Sequence, residues 1–480
     1  MVLGPAQFLI LVLVPLALGA AALRWLGISL RTDRVAYFGW AWMIGSLGIA
    51  ALELVRLLLG VPAPGTLVAA ALLCAAVLFA LGRRRPALAA AAPRATTRAA
   101  NAFFAALLAL CLLFTLVRIA YASTTAVTIG DEAIFWSRKA KLLFESGSLG
   151  GSYASAVSLR TLAHADYPAL NPLLQLWVFD LAGRITHVVN RVPIQLVCVA
   201  LVLCASSALR RAAGAWIGAL LLILIPTCFQ FGVAIRLAQS DALVALGGLV
   251  ALDGYLRWKQ AGERAWLGLA GLGAAFLCWS KHEGLLVFAA FIAAALLTRA
   301  FALGWRECVR PRRELLWLLP ALGVLLVTWL HNRALGTAGS HATVPGLFDR
   351  LLDQFTASLG PVLRFLAELA VEPASNAVPA VFLLLALFCR AAWREPLRIP
   401  TLAVLFVYVG LAGIYVTTRD DLEWLLVNSA QRVFFQTVPL SVLWIGHVTR
   451  ALLDGAERAP APELSARSSS ASARACSPAR

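Results

Sequence analysis

Charge is what this chain has least of. Only 14% of its residues are Asp, Glu, Lys or Arg, against 61% hydrophobic. Acid is scarcer still, with 24 Asp and Glu facing 41 Lys and Arg. A mean hydropathy of +0.82 excludes an ordinary soluble globular protein. The stretches without a membrane-length apolar run are confined to about 122–186, 332–375 and the tail after Arg450. None of these has room for a large soluble domain. The sequence has no CxxC pair, and seven of its nine cysteines (Cys74, Cys111, Cys198, Cys204, Cys228, Cys278 and Cys389) lie inside apolar runs. That argues against a disulfide framework or a cysteine metal site and reads as small buried hydrophobes. No Gly-rich phosphate loop or zinc signature occurs, so no nucleotide cofactor is expected.

What is present is a series of apolar runs near 5–23, 36–59, 65–82, 101–121, 187–209, 213–232, 239–257, 264–280, 284–299, 314–331, 376–392, 399–418 and 431–450. They predict an all-α, polytopic helical membrane protein of about 13 transmembrane helices. Basic residues crowd alternate connections. RWLGISLRTDR, GRRRPALAAAAPRATTR, LRR, RWKQAGER, TRAFALGWRECVRPRR, CRAAWREPLR and the tail together hold 26 of the 41 Lys and Arg. Positive charge stays on the cytoplasmic side, so the N-terminus is expected outside and the C-terminal tail inside, in the inner (plasma) membrane. The net charge of +17 is then a signal of topology, and no nucleic-acid partner is expected. ALGAA near the end of the first run has the look of a cleavage site, but no basic segment precedes that run, so it is read as a span.

This topology puts three loops outside: 122–186, 332–375 and 419–431. Fourteen of the 24 acids fall on that side or at its border, as do His164, His187, His282, His331 and His341. The outer face therefore carries the residues capable of chemistry. In the second loop Leu347, Leu351, Phe355 and Leu359 recur near helical spacing, which predicts a helix lying on the membrane surface. Residues 451–480 are rich in Ser, Ala and Arg and read as a disordered cytoplasmic tail.

Four constellations stand out. In TIGDEAIFWSRKAKLLF, Asp131 and Glu132 sit where a span ends. Asp131 makes a good N-cap with Glu132 in the first turn, and a carboxylate at such a corner can also face a cavity. In the helix that follows, Trp136, Ala140, Leu143 and Phe144 are expected on one face, and Arg138, Lys139 and Lys141 on another, beside lipid headgroups. HADYPALNPLLQLW gathers His164, Asp166, Tyr167 and Asn171. It reads either as an ordinary turn into an amphipathic helix or as a binding element. CWSKHEGLLVF sets Lys281, His282 and Glu283 between two apolar runs, at a depth where ionisable groups are commonly functional. Arg236 with Asp241, and Arg432 with Gln436, stand at the starts of spans. There an arginine can snorkel to lipid or clasp a specific phosphate.

Together these stretches resemble the GT-C class of integral-membrane glycosyltransferases, in the bacterial family-39-like branch related to protein O-mannosyltransferases and lipid A aminoarabinose transferases. Gly130-Asp131-Glu132 resembles the acidic motif that opens the first large outer loop in that class. Trp136 to Lys141 resembles its W-x-x-K-A-K pattern, and Asp166 to Leu173 its D-Y-P-x-L-x-P-L element. Lys281 to Gly284 resembles K-x-E-G. Asp421 to Leu426 with Ser429 and Arg432 resembles D-L-E-W-x-L…S-x-x-R, although Leu425 stands where a His often follows the Trp. The resemblance runs from about 101 to 450, leaving 1–100 as three accessory N-terminal helices.

It implies transfer of a sugar from a polyprenyl-phosphate donor to a glycan, lipid or protein acceptor on the outer side, with inversion. Asp131 would be the catalytic base, with Glu132 beside it. Arg432, Lys281 and Arg236 would bind the donor phosphate. His164, Asp166, Tyr167, Glu283 and Trp136 would bind substrate. Some members of the class use a divalent metal and others do not, and no metal ligand is assigned. A secondary transporter is the main alternative from another class. It predicts broken helices carrying polar groups near the bilayer midplane. A non-catalytic envelope assembly factor is the second.

Overall fold

The computed structural model describes residues 3–88, 96–125, 132–162, 164–304, 313–337, 347–372, 375–416 and 422–457. Among the described residues every regular element is helical. The chain opens with α1 (Pro5–Leu26), α2 (Ala36–Leu59), α3 (Gly65–Gly82) and α4 (Arg98–Ala122). A π-helical turn, Glu132–Trp136, leads into short helices α5 (Ser137–Ser146), α6 (Gly151–Ser158) and α7 (Leu170–Ala182). Then come α8 (Val192–Ile223), α9 (Phe229–Leu237), α10 (Asp241–Ala261), α11 (Arg264–Ser280) and α12 (His282–Leu303). The last third holds α13 (Leu319–Ala334), α14 (Leu347–Val371), α15 (Val378–Phe388), α16 (Arg398–Val416), α17 (Leu422–Leu425), α18 (Gln431–Phe435) and α19 (Val438–Glu457).

Eight helical runs are long and apolar enough to cross a membrane, or nine if α9 and α10, bent by 118° at a short break, form one span. The protein is thus a multi-pass helical membrane protein. The sequence predicts about 13 crossings, and the runs beyond these eight or nine fall on merged, shorter or broken helices. Three of its thirteen runs fall on the 17-residue α11, the 11-residue α15 and the broken pair α18 and α19.

Helix α8 covers two of the expected runs. Straight, its 32 residues would reach about 48 Å, well beyond a hydrocarbon core of about 30 Å. It is broken at Gly214, where φ is 79° and ψ is −178°. A Cβ on Gly218 would stand 2.8 Å from the Leu209 carbonyl oxygen, so the two arms fold against each other.

The centre of the bundle is formed by α8, α10, α11 and α19, whose side chains include the fully buried Trp444, Phe276, Leu246 and Leu209. Helices α4 and α13 lie outside it. They expose Leu110, Leu113, Leu116 and Val117, and Leu319, Leu322, Leu326, Trp329 and Leu330, an apolar surface suited to lipid chains.

The N-terminal helices are tied in by charge as well as packing. Arg56 on α2 donates to Glu53 at 2.7 Å and to Asp180 on α7 at 2.8 Å, and all three side chains are buried. Helix α7 is buried on nearly every side, so the amphipathic helix expected there is instead an internal one. Helix α14 occupies the place predicted for the surface helix. Helix α19 continues to Glu457, past the point where the tail was expected to begin, and 458–480 lie outside the described residues.

Candidate active site

The site is built where three helices break. Between α9 and α10 the chain turns through Ala238, a non-glycine residue at φ 45°. Asn171 on α7 holds that turn, donating to the Ala238 carbonyl at 2.8 Å and to Ser240 Oγ at 3.0 Å. The break delivers Asp241 as the first residue of α10, with its side chain buried. Between α11 and α12 the link is one extended residue, Lys281, with φ −167° and ψ 163°. Gly284 makes so tight a reversal feasible, because a Cβ there would fall 2.1 Å from the Leu277 carbonyl oxygen. The third break, between α18 and α19, carries Gln436.

These breaks bring together residues far apart in sequence. The Lys281 ammonium lies 2.9 Å from Glu283 Oε1 and 3.3 Å from Asp241 Oδ1. Gln436 Nε2 donates to the same Asp241 oxygen at 2.6 Å. Lys281 is only 6% exposed. Burial works against its charge, but the two carboxylates outweigh burial and hold it above the usual lysine range. Arg432 is near enough for its charge to act on Asp241, Lys281 and Tyr415.

An aromatic wall adjoins this ion cluster. His282, next to Lys281, places Nε2 3.2 Å from Asp166 Oδ2. The Tyr167 ring meets His282 edge-on and tilts against His164, each at 4.6 Å between centroids. Trp136 packs on Tyr167 at 5.7 Å, and Phe135 on His164 at 4.5 Å. His164 holds a left-handed φ of 50°, a conformation that costs a non-glycine residue about 1–2 kcal/mol and that clusters at functional sites. Asn332 Nδ2 donates to the Asp166 carbonyl at 2.9 Å, pinning the turn from the far side.

Lys139 corrects the sequence reading. It was expected on a basic face beside lipid headgroups, with Arg138 and Lys141. Those two are exposed, but Lys139 is 2% exposed and donates to the carbonyls of Ala165 and Tyr167 at 3.0 and 2.9 Å. Helical geometry accounts for this: Lys139 follows Trp136 by three positions and precedes Leu143 by four, which puts it on the buried stripe. Burial lowers its pKa to about 8, despite the Asp166 carboxylate.

Of the expected site residues, Trp136, His164, Asp166, Tyr167, Lys281, Glu283 and Arg432 converge. Arg236 does not join them. It is exposed in the last turn of α9 and forms no ion pair among the described residues. Asp131 lies outside the described residues. Glu132 heads the π-helical turn that ends at Trp136, and its side chain also lies outside them.

The sequence singles out Asp241, Gln436 and His282 within its constellations but gives them no role in the site, and it reads Lys139 as part of a lipid-facing basic surface. The available signals were weak: an acid opening a helix has an ordinary capping role, and Gln436 follows Arg432 by four positions. Asp241 and Glu283, the carboxylates closest to Lys281, share its one ammonium. No three His, Cys, Asp or Glu side chains among the described residues are grouped to hold a metal ion. What the arrangement offers is a charge-balanced cluster, Lys281 and Arg432 against Asp241 and Glu283, at a buried helix junction beside an aromatic and hydrogen-bonding wall. Phosphate and sugar are recognised by such groups. Compared with known proteins, the chain matches no family model, no curated protein and no solved structure.

Proposed function

We propose that the protein is a GT-C-like membrane glycosyltransferase of about 13 spans that uses a polyprenyl-phosphate sugar on the outer side of the membrane. One observation carries this reading: Lys281, Asp241, Glu283, Gln436 and Arg432, from three separate helix breaks, adjoin the Trp136, His164, Asp166 and Tyr167 wall.

In the reaction the acceptor oxygen or nitrogen attacks the anomeric carbon from the face opposite the phosphate. A bond forms there, the carbon–oxygen bond to phosphate breaks, and its electron pair leaves with the lipid phosphate. The configuration inverts. Asp131 takes the acceptor's proton, with Glu132 beside it. Lys281 and Arg432 stabilise the charge that collects on the leaving phosphate. Glu283 and Asp241 keep the lysine charged and aimed. Tyr167, His164 and Trp136 offer ring faces and edges to the sugar, and Asp166 holds His282 in place.

The test uses membranes containing the full chain, a labelled polyprenyl-phosphate hexose or pentose, and envelope acceptors. Asp131→Asn should lower product formation at least about 100-fold, the usual scale of a lost general base, while donor retention stays. Unchanged turnover in this variant sinks the base assignment.

A transporter remains the second reading, favoured by the 118° break between α9 and α10 with the buried Asp241 beside it. Proteoliposomes separate the two. A transporter moves its solute across the bilayer with no new glycosidic bond, whereas the enzyme releases polyprenyl phosphate.

A further inference from the structure

The bundle has a second concentration of charge at the end opposite the Lys281 cluster. Asp241 opens α10, and Arg257 lies sixteen positions further along it, roughly 24 Å away at 1.5 Å per residue. Around Arg257 a cavity of about 780 Å³ opens between α8, α10, the 389–397 connection and α19. That volume is within the range of small-molecule sites. Five guanidinium groups line it: Arg210, Arg211, Arg257, Arg394 and Arg450.

Its floor is a preorganised ionic lattice. Arg257 donates to Asp33 at 2.8 Å and to Asp253 at 2.9 Å, and Arg211 also pairs with Asp253. Arg257 is clamped between the Trp40 and Trp266 rings, at 4.8 and 4.6 Å. Burial would raise the pKa of Asp33, but Arg257 and the Ser207 hydroxyl outweigh it and hold the carboxyl below its usual range. Every carboxylate on the lining is already matched: Asp33 by Arg257, Glu395 by Lys259 at 3.5 Å, and Asp454 by Arg450 at 2.5 Å.

The cations are not all matched. Arg210 donates to the neutral amide oxygen of Asn101 at 2.8 Å, and Arg394 is exposed with no ion pair among the described residues. The Nε atoms of Arg211 and Arg450 are buried without a hydrogen-bond partner among the described residues. The cavity therefore presents surplus positive charge and unused N–H donors on a rigid floor. Planar guanidinium forks of this kind match the oxygens of a phosphate.

We propose that this cavity is a second ligand site, distinct from the Lys281 cluster, and that it takes a phosphate monoester or diphosphate group. Arg210 and Arg394 grip the phosphate from the rim, and the lattice of Arg211, Arg257, Asp33 and Asp253 keeps the floor from collapsing. Two sources carry that chemistry: a lipid whose headgroup is a phosphate monoester, and a water-soluble phosphate ester.

The experiment uses the full chain in nanodiscs, read by its thermal melting. One arm titrates inorganic pyrophosphate into phosphatidylcholine nanodiscs at constant ionic strength. The other replaces a fifth of the lipid with phosphatidate. R210A/R394A changes two exposed side chains, and R84A, an exposed arginine away from the cavity lining, controls for lost charge. Saturable stabilisation by pyrophosphate, weakened about tenfold or more in R210A/R394A and unchanged in R84A, supports a soluble ligand, since each charged hydrogen bond contributes about that factor. The same pattern with phosphatidate alone supports a lipid headgroup. No stabilisation in either arm, or equal loss in R84A and R210A/R394A, overturns the proposal.

Discussion

At the scale of single residues, the informative ones are buried charges, because each needs a reason to stay. Lys139 has two carbonyl acceptors and no ion pair among the described residues, and its pKa is lowered to about 8, against about 10.5 for a free lysine. The direction fixes the pH response. Between about pH 8 and 10.5 the unfolded chain holds a proton that the native protein has released, so stability rises with pH across that window and is flat below it. Lys139→Gln keeps N–H donors but cannot titrate. Melting temperatures of the two proteins followed from pH 7 to 10 should diverge above pH 8, with the wild type gaining on the variant. Parallel curves would show that the lysine is not buried as described. Lys281 behaves oppositely: two carboxylates hold it charged well past neutral pH, so it contributes no slope there. From sequence, Lys281 and Glu283 are conspicuous because they interrupt an apolar run. Lys139 is not, because neighbouring arginine and lysine make it look like part of a basic face, and only the three- and four-residue spacing to Trp136 and Leu143 betrays it.

At the scale of helices and their joints, apolar runs are legible and most joints are not. Nearly every expected run contains a helix, since a bilayer demands internally bonded backbone. The expected runs 187–209 and 213–232 part at LRR, just before α8 doubles back at Gly214, but the 118° angle between α9 and α10 leaves no mark in the sequence, because side chains from distant segments satisfy the backbone at such a joint. Asn171 does this for the α9–α10 joint. Gly284 matters in the same way to the Lys281 joint. Gly284→Val places a branched side chain where even a Cβ meets the Leu277 carbonyl at 2.1 Å. It should cost about 2 kcal/mol by overpacking, read as a lower melting temperature, and should impair any activity that depends on Lys281. A melting temperature equal to the wild type's would mean α12 is not pressed onto α11. The joint between α2 and α7 is electrostatic. Arg56→Met leaves Glu53 and Asp180 buried with no counter-charge and should destabilise by about 3 kcal/mol or more. Adding Glu53→Gln and Asp180→Asn should recover much of that loss. No recovery would place the effect in packing rather than charge.

At the scale of the whole molecule, the two charge clusters sit at opposite ends of α10, and the basic connections around 33, 210–211, 257–260 and 394–397 meet at the cavity end. Residues near Lys281 come from segments around 136–167, 241, 281–283 and 432–436, and those near Arg257 from around 33, 207–211, 253 and 394–397. Alternation of basic connections anticipates which segments share an end, because each crossing inverts the side. It does not anticipate which side chains meet, because that depends on the joints. The alternation also makes an orientation prediction that can be read directly. Ser158, exposed on α6, should face outward, and Arg394 should face the cytoplasm. In a background without Cys74, Cys308 and Cys476, S158C should react with a membrane-impermeant maleimide added to intact spheroplasts, and R394C only after the membrane is opened. The two variants should keep those opposite patterns because α10 and its partners fix the ends of the bundle relative to each other. Labelling of both from one side would break the assignment of ends, and with it the placing of the Lys281 cluster at the outer face. A clean reversal would keep the bundle and invert it, moving the phosphate-binding cavity outside.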